Sequence, residues 1–196
     1  STQYLFIPTG TDFEGLVKIL DDNNLLMDEA SFRWTAHQMK YDTKVKSGKY
    51  KLGQKMSNKE LITLLRSGKQ TPVNVIFNNI RTKEELAKRI SEQIEAPQQS
   101  VLNLLNDHDY TQKMGFTSDN ILAMFLPNTY ELYWNTSADK FIQRMKKEYD
   151  KFWTADRLLK AKKIKLTPVQ VSVIASIVQL ESNREDEKPV IAGVYI

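Results

Sequence analysis

The residues best suited to do chemistry lie near the C-terminal end, in Val171-Ser172-Val173-Ile174-Ala175-Ser176-Ile177-Val178-Gln179-Leu180-Glu181-Ser182-Asn183. On a helix, Ile174, Ile177 and Val178 form one apolar stripe. Glu181 follows them at i+7, i+4 and i+3, so it projects from the same stripe. A carboxyl group on the buried face of an apolar helix is desolvated, which raises its pKa and suits it to act as a general acid. Gln179 sits about 200° round an ideal helix from Glu181 and faces elsewhere. The competing reading puts Glu181 at a helix end, where it reaches water or a lysine. A metal role is disfavoured, because no His stands four residues on.

Composition narrows the other chemistries. The 196 residues contain no Cys, which excludes disulfides, Cys-ligated zinc, iron–sulfur clusters and thiol catalysis. The two His, His37 and His108, lie far apart in sequence, which argues against a His-rich metal site. Catalysis must therefore come from carboxylates, hydroxyls or lysine. Lys and Arg number 28 against 24 Asp and Glu, a net charge of +4, and the pI is about 9.1. Mild basicity favours an anionic partner, but Lys and Glu interleave along the chain as on a solvated surface. No nucleic-acid-binding motif is present. The longest apolar runs fall far short of the ~20 residues that cross a bilayer.

The elements that must position Glu181 follow from periodicity and caps. Strands are expected at Tyr4–Pro8, Gly48–Leu52 and Pro72–Ile80, the last with Val73, Val75 and Phe77 on one face. Capping boxes at Thr11–Glu14, Ser57–Glu60 and Thr82–Glu85 each open a helix. Another helix follows Asp28, and Ser67-Gly68 ends the one that starts at Ser57. After Pro97 a short helix covers Ser100–Asp107, and Asp107–Gly115 reads as a polar loop. Ile121–Tyr133 is apolar and aromatic, broken at Pro127-Asn128-Thr129. Ser137–Trp153 is a basic amphipathic helix with Phe141, Met145, Tyr149 and Phe152 inward, and Ala155–Lys165 is Lys-rich. Thr167-Pro168 caps and starts the last helix. The chain closes on Val194-Tyr195-Ile196 within a strand-like run, so it is expected to be a fragment with further chain at both ends. The fold class is α+β, with residues 1–80 as one module and 81–196 as a second, mostly helical domain.

Five segments in order carry a family resemblance. They are Phe6-Ile7-Pro8-Thr9-Gly10; Ser47–Leu52 with Met56-Ser57 and Leu64–Gly68; Phe125-Leu126-Pro127-Asn128-Thr129-Tyr130-Glu131; Ala175–Ser182; and Glu187–Ile196. Together they resemble the MltG-type (YceG-like) endolytic murein transglycosylases. Two positions depart from the family pattern. Asn128 stands for the Asp of its Pro-Asp-Thr-Tyr motif, and Gln179 for the first Glu of its Glu-Lys-Glu.

The resemblance implies a LysM-like N-terminal module and a catalytic domain continuing beyond Ile196. It implies a lyase that cuts between N-acetylmuramic acid and N-acetylglucosamine in nascent glycan strands, limiting their length. Glu181 would be the catalytic acid. Asn128, Thr129, Tyr130, Glu131, Gln179 and Ser182 would bind substrate, with Tyr130 stacking on a sugar and Asn128 and Thr129 bonding an acetamido group. The same Pro127–Glu131 segment also fits a structural turn after an apolar strand. Glu131 would supply the second carboxylate of any hydrolytic route. No metal or organic cofactor is called for. Partners would be peptidoglycan glycan strands and wall-elongation synthases, not nucleic acid. The location implied is the bacterial cytoplasmic (inner) membrane, through a single-pass anchor upstream of Ser1, with the domain facing the periplasm and wall. Two alternatives stand beside this reading. One is a non-catalytic peptidoglycan-binding module, which Gln179 would fit. The other is the pyridoxal-phosphate enzyme implied by the label aminodeoxychorismate lyase, against which stands the lack of a Gly-rich phosphate loop.

Overall fold

The computed structural model describes residues 3–78, 80–182 and 184–195. The chain is α+β and mainly helical, and it divides into two compact units. Unit 1 takes the chain up to Val75 with Gln93–Glu95 and Glu131–Thr136, and unit 2 takes the remainder.

In unit 1, β1 (Gln3–Ile7) pairs antiparallel with β2 (Gly48–Leu52), with Leu5 opposite Tyr50 and Ile7 opposite Gly48. Strand alternation sends Leu5 and Ile7 into the core and leaves Tyr4 and Phe6 outside. Between the strands run α1 (Phe13–Asp22) and α2 (Glu29–Gln38), and α3 (Asn58–Ser67) follows. Leu16, Val17 and Leu20 of α1 and Leu61, Ile62 and Leu65 of α3 form stripes that close on Phe32, Tyr41 and Tyr50. Helix starts are specified locally. Asp12 caps α1 by accepting from the Gly15 N–H, one residue later than the Thr11 start expected. Asp28 caps α2, and Ser57 and Glu60 form a complete capping box. Gly68 ends α3 at φ +70°, a left-handed conformation in which glycine avoids the Cβ clash. Later segments of the chain fasten onto this unit. The Glu95 carboxylate accepts from Thr9 N and Oγ1, both at 2.6 Å, and Asn135 Nδ2 donates to Ser47 Oγ at 2.9 Å. Trp134 meets Phe6 edge-on at 5.1 Å.

β3 (Val73–Phe77) and β4 (Asn128–Leu132) form a second two-stranded sheet. Unit 2 contains α4 (Lys83–Ser91), α5 (Gln98–Asn106), α6 (His108–Lys113), a 3₁₀ turn (Ile121–Met124), α7 (Ala138–Phe152), α8 (Ala155–Lys163), α9 (Pro168–Glu181) and α10 (Lys188–Tyr195). Its core includes an aromatic cluster in which Phe77 stacks on Tyr130 at 5.4 Å and Phe125 on Phe141 at 5.9 Å. α7 turns Phe141, Met145 and Tyr149 inward but leaves Phe152 exposed.

Several expectations are corrected. Asp107–Gly115 is not a loop: Asp107 accepts from the Tyr110 N–H and caps α6. The apolar run Ile121–Leu126 begins as a 3₁₀ turn, and the strand follows Pro127. The C-terminal run is helical in α10, so Thr167-Pro168 opens the penultimate helix and not the last. Asn79 of the third strand expected, Asn183 and Ile196 lie outside the described residues. No helix among the described residues is long and apolar enough to cross a membrane. The single-pass inner-membrane location expected from the resemblance is therefore withdrawn for this chain.

Candidate functional site

α9 is built to present its C-terminal end. Thr167 accepts from the Gln170 N–H while the Gln170 side chain accepts from the Thr167 N–H, and Pro168 occupies the first helical position. The helix packs on the 3₁₀ turn Ile121–Met124, on α8 and on α10. Val178 is the one residue of α9 classed as buried. Glu181 is the last residue of the helix and is exposed. The desolvated carboxyl expected from the Ile174–Ile177–Val178 stripe is thus corrected. The stripe is the packed face of α9, with Val178 buried and Ile174 and Ile177 half-buried, but the cover stops short of Glu181 at the helix end. The Glu181 side chain has no ion pair or hydrogen bond with any described residue.

Ser182, the C-cap, is buried and is taken up by the turn that follows. Its Oγ donates to Glu187 Oε2 at 2.7 Å and accepts from the Arg184 N–H at 3.0 Å. Arg184 also pairs with Asp186 and Glu187, and Lys188 with Glu185. Ser182 therefore shapes the exit from α9, and its hydroxyl is not free to meet a substrate as expected. Gln179 is exposed.

The 3₁₀ turn held against α9 leads through Phe125 and Leu126 to Pro127-Asn128-Thr129-Tyr130 in unit 2. Asn128 and Thr129 are exposed, and Asn128 Oδ1 accepts from the Thr129 N–H at 2.8 Å. Tyr130 is buried: its ring lies on Phe77 and its hydroxyl donates to the Leu126 carbonyl at 2.6 Å. Burial also raises its pKa. The sugar-stacking role expected of Tyr130 is corrected, since strand alternation in β4 points this side chain into the core. Glu131 is exposed and begins the segment that belongs to unit 1. No group of three or more potential metal ligands occurs among the described residues.

Unit 1 holds a feature absent from the sequence reading. A cleft of about 530 Å³ lies between Gly10–Phe13 and Asp42–Ser47, the segments that leave β1 and enter β2. Its one advance signal is the Thr9-Gly10 turn, since the opposite wall is formed only when β1 and β2 pair.

The sequence matches the YceG-like family over residues 5–196. The crystal structure of a protein described as YceG-like, from Listeria monocytogenes, shares the fold at a TM-score of 0.55 and 20% identity. The alignment covers 95% of this chain and 66% of that one, so the chain spans just under two thirds of the relative's length. No curated protein matches the sequence.

Proposed function

This chain belongs to the YceG-like family, and from that premise we propose that it takes part in endolytic lytic cleavage of peptidoglycan glycan strands, with Glu181 as the catalytic acid. The observation that carries the proposal is the placement of Glu181: a carboxyl at the exposed end of α9, in the run Ala175-Ser176-Ile177-Val178-Gln179-Leu180-Glu181-Ser182, unengaged by described residues. A bound glycan would remove water from this carboxyl and favour its protonated form. The acid then donates its proton to the oxygen between N-acetylmuramic acid and N-acetylglucosamine as the bond from the muramyl C1 breaks. The muramyl C6 oxygen bonds to C1, and the Glu181 carboxylate takes the C6 hydroxyl proton. The products are a 1,6-anhydromuramic end and a free N-acetylglucosamine 4-hydroxyl, and Glu181 is again protonated. Since the substrate's hydroxyl replaces water, the pair of carboxyl groups used by ordinary glycosidases is not required. Asn128 and Thr129 remain available for an acetamido group. Unit 1 would act as the LysM-like glycan-holding module, and the elongation synthases would be the protein partners.

The test is a mass-spectrometric digest of purified glycan strands by the protein and its Glu181→Gln variant. Internal cuts ending in 1,6-anhydromuramic acid, lost in the variant, support the proposal. Reducing ends point to hydrolysis and overturn it. The cleft in unit 1 favours a second reading, a glycan-binding module without catalysis. Binding of strands by both forms with no cleavage would establish that reading instead.

A further inference from the structure

Two stretches of the chain carry a marked excess of cations, residues 43–59 in unit 1, with six lysines and no acidic residue, and residues 151–165 in unit 2. Residues 151–165 hold six cations, Lys151, Arg157, Lys160, Lys162, Lys163 and Lys165, against the single anion Asp156, a local net charge of +5. This segment is α8 with its flanks.

α8 packs through one face and leaves the rest of its surface exposed. Only Ala161 of the helix is buried, while Leu158 and Leu159 are 44% and 61% exposed. The flanking Phe152 and Ile164 are exposed too. Leu159 and Lys163, four residues apart, share the face turned away from Ala161, and Leu158 and Lys162 repeat that spacing beside them. Apolar and cationic side chains therefore alternate over one exposed surface. Part of the charge is neutralised internally, since Lys151 pairs with Glu148 at 3.3 Å and Lys160 with Asp156 at 2.7 Å. Arg157 lies over the Phe152 ring at 4.0 Å. Lys162, Lys163 and Lys165 have no ion-pair partner among the described residues.

We propose that α8 and its flanks lie on the surface of an anionic lipid layer, with Leu158 and Leu159 entering the acyl boundary and Lys162, Lys163 and Lys165 among the headgroups. Two properties select a lipid over a soluble polyanion. A polysaccharide or nucleic acid would use the charge but gains nothing from exposed leucines, whereas an interfacial helix uses both. The long lysine stems extend along the apolar surface while their ammonium groups stay in water. A helix of nine residues rests on the surface and does not cross it.

Co-sedimentation with vesicles tests this. The protein should bind vesicles of phosphatidylcholine with about 30% phosphatidylglycerol, fail to bind phosphatidylcholine alone, and release as salt rises. That measurement needs no variant. The Lys162→Glu, Lys163→Glu, Lys165→Glu protein should bind at least tenfold more weakly. Leu158→Ser with Leu159→Ser should lose about tenfold at low salt. All five substituted side chains are exposed, and circular dichroism confirms that each variant is folded. Absence of binding to the anionic vesicles at low salt overturns the proposal, as does undiminished binding by the charge variant. Unchanged binding by the leucine variant, with displacement by a soluble acidic polysaccharide, overturns it in favour of a polyanion site.

Discussion

The β1–α1–α2–β2 part of unit 1 and the α9–α10 pair of unit 2 use apolar residues in opposite ways. In the first, moderately apolar helices commit narrow stripes, and Leu16, Leu20, Phe32 and Ala36 have no accessible surface. In the second, α9 and α10 are richer in apolar residues, yet only Val178 is buried, and Val190 and Val194 are 72% and 80% exposed. Apolar content does not decide burial. A stripe tells a helix which face to pack, whereas an apolar surface all round leaves the choice to whatever neighbours it meets. Glu181 follows from the same contrast: it ends the stripe of Ile174, Ile177 and Val178, past the point where the neighbours of α9 cover it.

The largest test of that contrast is truncation. Phe32→Ala should cost about 3–5 kcal/mol through lost burial and a cavity, while Val194→Ala should stay within about 0.5 kcal/mol. Urea unfolding of the two variants measures the difference, and equal losses would break the comparison. Glu181→Gln should leave Tm unchanged while glycan cleavage falls by about 10²–10⁴-fold, the usual contribution of a general acid. A large drop in Tm would show that the side chain is structural.

The two capping boxes give a finer test. Ser57→Ala should destabilise the protein by about 1 kcal/mol, because α3 is tied to the unit 1 core through Leu61, Ile62 and Leu65. Thr167→Ala, removing the equivalent bond from α9, should be felt first as faster amide exchange in that helix alone.

The smallest effect is at alkaline pH. Burial pushes the phenols of Tyr41 in unit 1 and Tyr110 in unit 2 above the ordinary value of 10, and Tyr110 is held further by donating to Asp139 at 2.7 Å. A raised folded pKa means that the unfolded chain loses its proton first. The stabilisation is therefore complete below pH 10 and fades as pH rises above it. Urea midpoints measured from pH 8 upward should fall beyond about pH 10, and Tyr110→Phe should flatten part of that fall.

Much of the fold was legible because its signals are local. Asp28, Ser57, Thr82, Ser137 and Thr167 all cap the helices expected of them, and Gly68 ends α3. A cap needs only a side-chain oxygen two or three residues before a free N–H. What was misread lacks such a signal or rests on apolar runs too short to distinguish helix from strand. Ile121–Met124 is a short apolar run and Val190–Tyr195 contains the β-branched and aromatic residues of a strand, but neither pairs with a strand among the described residues. The α6 segment is polar and six residues long, so no periodicity marks it.

Of the candidate site, the sequence by itself determined which residues are candidates for chemistry. The absence of Cys and the separation of the two His leave carboxylates, hydroxyls or lysine, and the family resemblance implies Glu181, Asn128 and Thr129. It also determined the charge of residues 151–165, since charge is a property of composition. Only the tertiary structure decided which of these side chains face outward. It buried Tyr130 on Phe77, took the Ser182 hydroxyl into the Glu187 turn, left Glu181 in water and left most of the α8 surface exposed. The physical reason is that side-chain identity and spacing are properties of the chain alone, whereas exposure depends on which neighbours pack against it.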